Sequence, residues 1–452
     1  MALDRRFGNV LLLGLGFMFV FTAFQTMGNI EKTVLDSIHV DDPNFVGDGY
    51  TSLAVIYAVF AICNWFAPSV ISLTGPKIAM LIGAVTYSLF IASFLLPKTW
   101  LLYVASVVMG MGAAIIWTGQ GNYLTLNSDS TTISRNSGVF WALLQASMFF
   151  GNLFVYFKFQ GKTTIDEDTR FVVFLVLLAL SGVGIVCLLL LRPAGAAPGE
   201  LEEGVQTPLP AESGPLHALK RSFALFTTKE MLFLSMTFFY TGIELSFFSG
   251  VYSPSIGFTQ QLGENAKQLV GLSGIFIGVG EVTGGALFGI LGSKTIRWGR
   301  DPIVIIGFLI HIVAFFLIFI NLPNAAPFGD TNDVAFMTSN AALAIFCSLL
   351  LGFGDSCYNT QIYSILGGIY PDDSAPAFAL FKFTQSIAAA ASFFYSSHLG
   401  LHPQLGIMVA TGILGTLSFC AVEWKDKAKK RAGGNGEVGT SCVDASSIPK
   451  HD

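Results

Sequence analysis

The sequence predicts an all-α membrane protein that crosses the bilayer about twelve times, arranged as two pseudo-symmetric six-helix bundles. Composition is the first observation: 53% of the 452 residues are hydrophobic and only 12% are charged, about half the charged fraction of an average soluble domain. A water-soluble fold of this size cannot cover itself with so few charges. Second, the apolar residues come in runs of about 20, the length that crosses a hydrocarbon core of roughly 30 Å. Third, the basic residues collect on one side of those runs, and the side they choose requires an even number of crossings.

In order, spans are expected near 7–27, 50–73, 78–96, 100–124, 135–158 and 170–191, then near 231–253, 267–292, 302–321, 339–366, 374–398 and 403–424. The basic Met1–Arg6 segment leads into an apolar run, Phe7 to Phe24, that exceeds a signal-peptide core and has no small-residue cleavage site after it. It is therefore expected to stay as the first helix. Between the halves, 192–229 is rich in Pro, Gly and Glu, as in Pro198-Gly199-Glu200-Leu201-Glu202-Glu203, and is expected to be a solvated linker. The chain thus divides into a first bundle (1–191), the linker (192–229), a second bundle (230–424) and a tail (425–452). The tail is charged and then rich in Gly and Ser, so it is expected to be disordered. Asn29–His39 places Ile30, Val34 and Ile38 on one face and is expected to lie as a short amphipathic helix on the outer surface.

Arg5, Arg6, Lys77, Arg135, Arg192, Lys220, Arg221, Lys229, Lys294, Arg297, Arg300 and the basic residues of the tail fall on the side of the N-terminus; Lys32, Lys98, Lys158, Lys162, Arg170 and Lys267 fall on the other. That bias places both termini and the linker in the cytoplasm. Most of the remaining charges lie in loops and form no basic stripe, so no nucleic-acid partner is implied. Cys63, Cys187, Cys347, Cys357 and Cys420 fall in apolar runs and Cys442 in the tail; they read as small packing residues rather than a disulfide framework.

The halves repeat one another. Phe21-Thr22-Ala23-Phe24-Gln25 of the first span parallels Tyr240-Thr241-Gly242-Ile243-Glu244 of the seventh. Trp117-Thr118-Gly119-Gln120 of the fourth parallels Tyr358-Asn359-Thr360-Gln361 of the tenth, and Trp141-Ala142-Leu143-Leu144-Gln145 of the fifth parallels Phe381-Lys382-Phe383-Thr384-Gln385 of the eleventh. Two such repeats around a central site form a transporter plan.

Charges inside spans are expensive, and each raises a functional question. The candidates are Glu244, Glu281, Asp355 and Lys382, with His311 weaker, a packing residue on a helix expected to face lipid or its own half; all lie in the second half. The first half offers neutral amides at corresponding depths: Gln25, Asn64, Gln120, Gln145 and Asn152. Helical spacing puts Lys382, Gln385 and Ser386 on one face and Asp355 with Asn359 on another; Tyr240, Thr241 and Glu244 make a polar stripe. Three acids against one lysine leave two carboxyls without a cation. A carboxyl shut off from water tends to keep its proton and could load and release it as access changes. The structural alternative is that a Glu244–Lys382 pair pins the seventh span to the eleventh while Asp355 bonds within a kinked helix. Gly274/Gly278, Gly280/Gly284 and Gly285/Gly289 read as small-residue pairs for close helix approach rather than a nucleotide loop. The sequence carries no metal-ligand cluster, catalytic triad or phosphate loop, so neither an enzyme nor a cofactor is expected.

Thr22-Ala23-Phe24-Gln25, Trp117-Thr118-Gly119-Gln120-Gly121-Asn122, the run from Arg135-Asn136-Ser137 to Gln145, Tyr240-Thr241-Gly242-Ile243-Glu244, Gly352-Phe353-Gly354-Asp355-Ser356-Cys357 and Ser374-Ala375-Pro376-Ala377-Phe378 resemble the Unc-93-like branch of the major facilitator superfamily. The resemblance covers nearly the whole chain except linker and tail. It implies the major facilitator fold, in which helices one, four, seven and ten line a central cavity and two, five, eight and eleven flank it. Every charged candidate but His311 lies on those helices. The chain departs from the superfamily's basic loop after the second helix, keeping only Gly75-Pro76-Lys77; the second half keeps Gly289, Lys294, Arg297, Gly299 and Arg300, with Ser293 where an acid would sit. The antiporter Gly-Pro signature of the fifth helix and the arginine of proton-coupled drug exporters in the fourth are missing, which argues against a multidrug antiporter.

Two functions remain. One is a solute carrier, facilitator or proton-coupled, working by alternating access on an unspecified small solute, with Glu244, Glu281, Asp355, Asn359, Lys382, Gln385, Gln25, Gln120 and Gln145 along the substrate or proton pathway. The other, implied by the resemblance, is a non-transporting accessory protein for a membrane receptor or ion channel.

Overall fold

Within hydrocarbon, a backbone that is not part of a closed barrel must satisfy its own N–H and C=O groups, which only a helix does. The computed structural model describes residues 5–127, 133–162, 165–193, 215–295, 299–370 and 374–440. Its elements are α1 (Arg5–Asp41), α2 (Gly49–Asn64), α3 (Ala67–Thr74), α4 (Pro76–Ser93), α5 (Thr99–Leu126), α6 (Ile133–Lys158), α7 (Glu167–Leu189), α8 (Pro215–Phe226), α9 (Lys229–Ser246), a π-helical turn (Phe247–Tyr252), α10 (Ser253–Phe258), α11 (Ala266–Thr295), α12 (Asp301–Asn321), α13 (Ala341–Ile369), α14 (Ser374–Ser396) and α15 (Leu401–Thr440). Among the described residues, 10 spans are long and apolar enough to cross a membrane, α9 and α10 counting as one. α2 is a shorter apolar helix of 16 residues, and α14 stands where the eleventh span is expected. All twelve expected positions are helical.

Local chemistry sets the boundaries. Asp48 caps α2 by accepting the Thr51 amide at 2.8 Å, and Asn340 caps α13 by accepting the Leu343 amide at 2.9 Å, each filling an orphan N–H of a first turn. The second span is two helices because α2 ends at Asn64 and Pro68 sits in the first turn of α3. Gly75 then turns the chain with φ +78°, a left-handed value that glycine takes without a Cβ penalty, and Pro76 opens α4.

In the first half α1 packs on α6 and α7, α4 on α5 and α7, and α2 on α5; in the second, α11 and α12 pack on α13, and α9 on α14 and α15. The halves meet along two seams, α6 with α11 and α2 with α14. Glycines make the tightest contacts. A Cβ at Gly274 would overlap Asn152 of α6, and one at Gly278 would stand 3.1 Å from Met148 Cβ. On another face of α11, Cβ atoms at Gly280 and Gly284 would overlap the Leu349 carbonyl and Ser356 hydroxyl of α13, and one at Gly352 would overlap the Ile277 carbonyl. The first two glycine pairs thus serve close packing as expected, one across the halves and one within the second. Gly285 meets nothing within 4 Å, so the third pair does not.

At the end of the bundle remote from the described termini (the distal end), hydrogen bonds join the halves. Asp48 accepts from the Ser397 hydroxyl of the α14–α15 turn at 2.9 Å, the Tyr50 hydroxyl donates to the Pro327 carbonyl at 2.9 Å, and Asn29 Nδ2 donates to the Val270 carbonyl at 3.1 Å. Lys32 reinforces this clasp, donating to Asp36 at 2.7 Å and Asp48 at 3.2 Å. Burial opposes the charge on Asp48, but the Lys32 ammonium, the Thr51 amide and hydroxyl and Ser397 outweigh it and hold the carboxyl below its ordinary value of 3.8.

Three expectations need correction. The outer amphipathic helix over Asn29–His39 does not exist as a separate element: α1 runs unbroken to Asp41, and Ile30, Val34 and Ile38 are buried against the bundle. The linker is not wholly solvated coil, because α8 lies inside it, packs on α14 and α9, and buries Leu225; 194–214 lie outside the described residues. The tail is not disordered from 425. α15 continues to Thr440 because its charges find partners: Lys425 bonds Glu230 at 2.6 Å, Lys427 bonds Asp301, and Glu423 holds Arg300 at 2.7 Å. Residues 441–452 lie outside the described residues.

Gly352→Val should lower the thermal stability of purified protein by about 1–3 kcal/mol, the usual cost of overpacking, while Gly285→Ala should not; melting curves in detergent read the difference. Because the folded-state value of Asp48 is depressed, its contribution is present above the ordinary carboxylate range and fades as pH falls through the lower folded value. Asp48→Asn should therefore melt earlier than the parent at neutral pH, and the two curves should converge below about pH 4.

Candidate functional site

Glu244 stands at the last turn of α9, just before the helix widens into the π turn. Pro254 explains the widening, since its ring excludes the carbonyl four residues back and it has no N–H to donate. π turns of this kind recur at functional sites. The tight contact between α9 and α14 is possible because Gly242 leaves room for the Gln385 carbonyl.

The structure brings Glu244, Asp355 and Glu281 together at the meeting of α9, α11 and α13, with exposures of 1%, 6% and 5%. The Glu244 and Asp355 carboxyls face one another with Glu281 beside Asp355, and Glu244 Oε1 has no hydrogen-bond partner. Asp355 Oδ1 also accepts from Asn359 Nδ2 at 2.7 Å, the i, i+4 pairing expected. Glu281 Oε2 has no hydrogen-bond partner.

His311 belongs to this cluster, contrary to the packing role expected of it. It is fully buried; its Nε2 lies 3.2 Å from the Leu351 carbonyl and 3.4 Å from Glu244 Oε1, and its Nδ1 lies 2.5 Å from the Tyr240 hydroxyl. A carbonyl only accepts, so Nε2 carries the hydrogen, and a neutral ring then receives the Tyr240 hydroxyl at Nδ1. Tyr358 stacks on the imidazole at 5.8 Å between centroids and bonds Thr416 at 2.6 Å. The expected lipid-facing position of its helix hid His311 in the sequence. The signal that could have found it is Gly354, where a Cβ would overlap the imidazole.

Lys382 does not make the expected pinning pair with Glu244. Its Nζ donates to Gln385 Oε1 at 2.9 Å and stands 4.7 Å over the Phe381 ring, and Gln385 Nε2 reaches Thr241 Oγ1 at 3.3 Å. The spacing that put Lys382 and Gln385 on one face lets the amide take the ammonium first.

The first-half amides stay apart from these acids. Gln25 accepts from Ser147 and is half-buried, as is Gln145, while Gln120 is buried. Asn152 is bound to Asn29 at 2.7 Å, in the seam and not in a cavity wall. Around them Trp117 stacks on Trp141 at 5.9 Å, and Trp141 meets Tyr363 of α13 edge-on at 5.4 Å across the halves. Gln25, Gln145, Trp141, Asn359, Tyr363 and Lys382 are all half-buried, so the boundary between the halves is less closed here than at the acids.

One expectation fails outright: titratable groups inside the bundle are not confined to the second half. Glu31 of α1 is fully buried, and neither carboxylate oxygen has a hydrogen-bond partner. It escaped notice because the first span was expected to end at 27.

Residues 45–420 match the family model described as "Ion channel regulatory protein UNC-93". The chain belongs to the UNC-93 family. Within it, the UNC93-like protein MFSD11 of Xenopus laevis is 49% identical over 93% of this chain and 97% of its own. UNC93-like protein 3 of Arabidopsis thaliana is 26% identical over 89% and 82%, and the unc-93 homolog A of Mus musculus is 24% identical over 93% and 94%. Among solved structures, the nucleoside transporter NupG superposes with a TM-score of 0.63 at 14% identity, covering 91% of this chain and 99% of that one. The peptide transporter POT superposes with 0.65 at 12%, covering 92% and 93%. This UNC-93 member therefore has the major facilitator fold.

Tyr240→Phe leaves His311 Nδ1 without a partner and should cost about 1–3 kcal/mol. Tyr358→Phe should cost less, because Thr416 keeps its own bond to the Gly412 carbonyl. Thermal unfolding of the two variants side by side checks the order.

Proposed function

We propose that this UNC-93 family protein is a proton-coupled solute carrier that works by alternating access, with both termini in the cytoplasm. The observation that carries the reading is the Glu244–Asp355 pair: two carboxyls in contact, buried, with Lys382 held by Gln385 rather than by either acid. Facing carboxyls are a recurring device for loading and releasing a proton as water or a solute's charge reaches them.

Asn359 and Lys382 stand between that pair and the boundary of the halves. Asn359 would report occupancy of Asp355, and Lys382 supplies the positive charge that an ionised pair would draw away from Gln385. Gln25, Gln120 and Gln145 offer uncharged hydrogen-bonding groups on the opposite side, beside the aromatic surface of Trp117, Trp141 and Tyr363. A solute that is neutral or weakly anionic, with hydrogen-bonding groups and a flat apolar face, suits these walls. The distal clasp corresponds to closure on the outer side. The fold's use by a nucleoside transporter and a peptide transporter is consistent with this reading.

A regulatory role toward a membrane-protein partner is the second reading. The family's description as an ion channel regulatory protein favours it, as does the near-complete burial of the acids in helix seams.

Purified protein in liposomes loaded with a pH-sensitive dye, challenged with a metabolite panel under a proton gradient, tests the carrier reading. Solute-dependent proton entry should be abolished in Glu244→Gln and Asp355→Asn, and solute exchange at equal pH should persist. Should no solute move or raise the melting temperature, while cross-linking in native membranes recovers a stoichiometric partner, the regulatory reading takes its place.

A further inference from the structure

Glu31 is a buried carboxyl that the second-half cluster does not use. α1 rises about 1.5 Å per residue, which carries Glu31 roughly 36 Å beyond Phe7, to the distal margin of a hydrocarbon core of about 30 Å. Water is near, but the packing excludes it. A Cβ at Gly49 would stand 3.0 Å from the backbone N and Cα of Lys32 and 3.4 Å from the Glu31 carbonyl carbon, so the first turn of α2 lies directly on the α1 backbone. The polar group beside the carboxyl is the Ser52 hydroxyl, which shares a 3.0 Å hydrogen bond with Ser106.

Apart from Lys98 of the α4–α5 turn and Lys158, which form no ion pair among the described residues, the cations of this end are engaged elsewhere. On α1 itself Lys32 holds Asp36 and Asp48; on α11 Lys267 holds Asp330; on α7 Arg170 holds Asp41 at 2.6 Å; and Lys162 holds Asp166 at 2.8 Å. Lys158 closes α6 without an ion pair to Glu31, and Tyr50 of α2 donates to Pro327. Asp48, which also faces the carboxyl, is an acid. An ionised Glu31 here would be a buried charge without a counter-charge, which proteins avoid by keeping the group neutral. It can ionise only if α2 lifts from α1 and water enters. The turn of α2 that would lift carries Asp48 and Tyr50, the residues that bind Ser397 and Pro327 of the other half.

We propose that Glu31 is a proton-binding site of the first half, occupied while the distal clasp is closed and emptied when it opens. The site is separate from Glu244 and Asp355, and its assignment does not depend on the carrier reading. Linkage gives the sign: a clasp that closes with a proton bound loosens as pH rises, up to tenfold in its opening constant per pH unit. Loss of the Asp48 charge would loosen it in the other direction, toward acid.

Backbone hydrogen exchange of the first turns of α2, residues 48–54, in nanodisc-embedded protein reads the opening directly once intrinsic exchange rates are divided out. In the parent, protection should fall by up to tenfold per unit as pH rises from about 6 to 9. In Glu31→Gln and Glu31→Met it should stay high and flat. A parent-like slope in Glu31→Gln overturns the proposal. So does failure of both neutral variants to fold, since a site that holds a proton in the closed state must tolerate an uncharged side chain of the same size.

Discussion

The backbone of α11 touches α13 where Gly280 and Gly352 face one another, and touches α6 where Gly271 and Gly274 meet Tyr156 and Asn152. In a bilayer, helices gain no hydrophobic advantage by meeting, so contact depends on close packing and on polar groups that find partners. Glycine on two faces lets α11 serve one half internally and both halves at their junction. The acid cluster depends on this geometry. Glu281 and Asp355 project from helices whose backbones nearly touch, and Glu244 is brought to them by α9, which in turn lies against α14 through Gly242. Three acids inside a membrane protein are expensive, and close packing at least keeps lipid tails from reaching them.

Span number and helical class were legible because hydropathy at a length of about 20 residues reports on lipid contact, which is averaged over a whole helix. The finer errors share a cause. Glu31 and Lys32 fall beyond the first expected span, in a segment expected on the outer surface, yet a helix can carry charges through its wall when they point at protein, and α1 does so to Asp41. His311 reads as a packing residue because its helix is expected to face lipid or its own half, and its orientation depends on Gly354 of a different helix. Lys382 was offered an acid across the bundle and took Gln385 of its own turn. Pairing is a tertiary property, and helix periodicity narrows it without deciding it. The helical tail was illegible for a similar reason: Lys425 and Lys427 look solvated until Glu230 and Asp301 are placed beside them.

Membership of the UNC-93 family and the major facilitator fold constrain what the protein is more than what it does, since one fold hosts many functions and the site decides. Here the polar interior is divided. The second half holds a carboxyl pair with an imidazole behind it, the first half a row of amides beside stacked indoles, and a solitary carboxyl sits near the distal surface. A bundle selected only to display an outer face would gain little from this arrangement, because polar contacts in membranes stabilise by about 1 kcal/mol or less apiece.

α15 leaves the apolar zone still helical and is riveted there: Glu423 to Arg300, Lys427 to Asp301, Lys425 to Glu230. These attachments are to α9 and the start of α12, both in the second half. The first turns of α15 beyond the apolar zone are thus fixed to one half alone, so in any motion of one half against the other they would travel with the second.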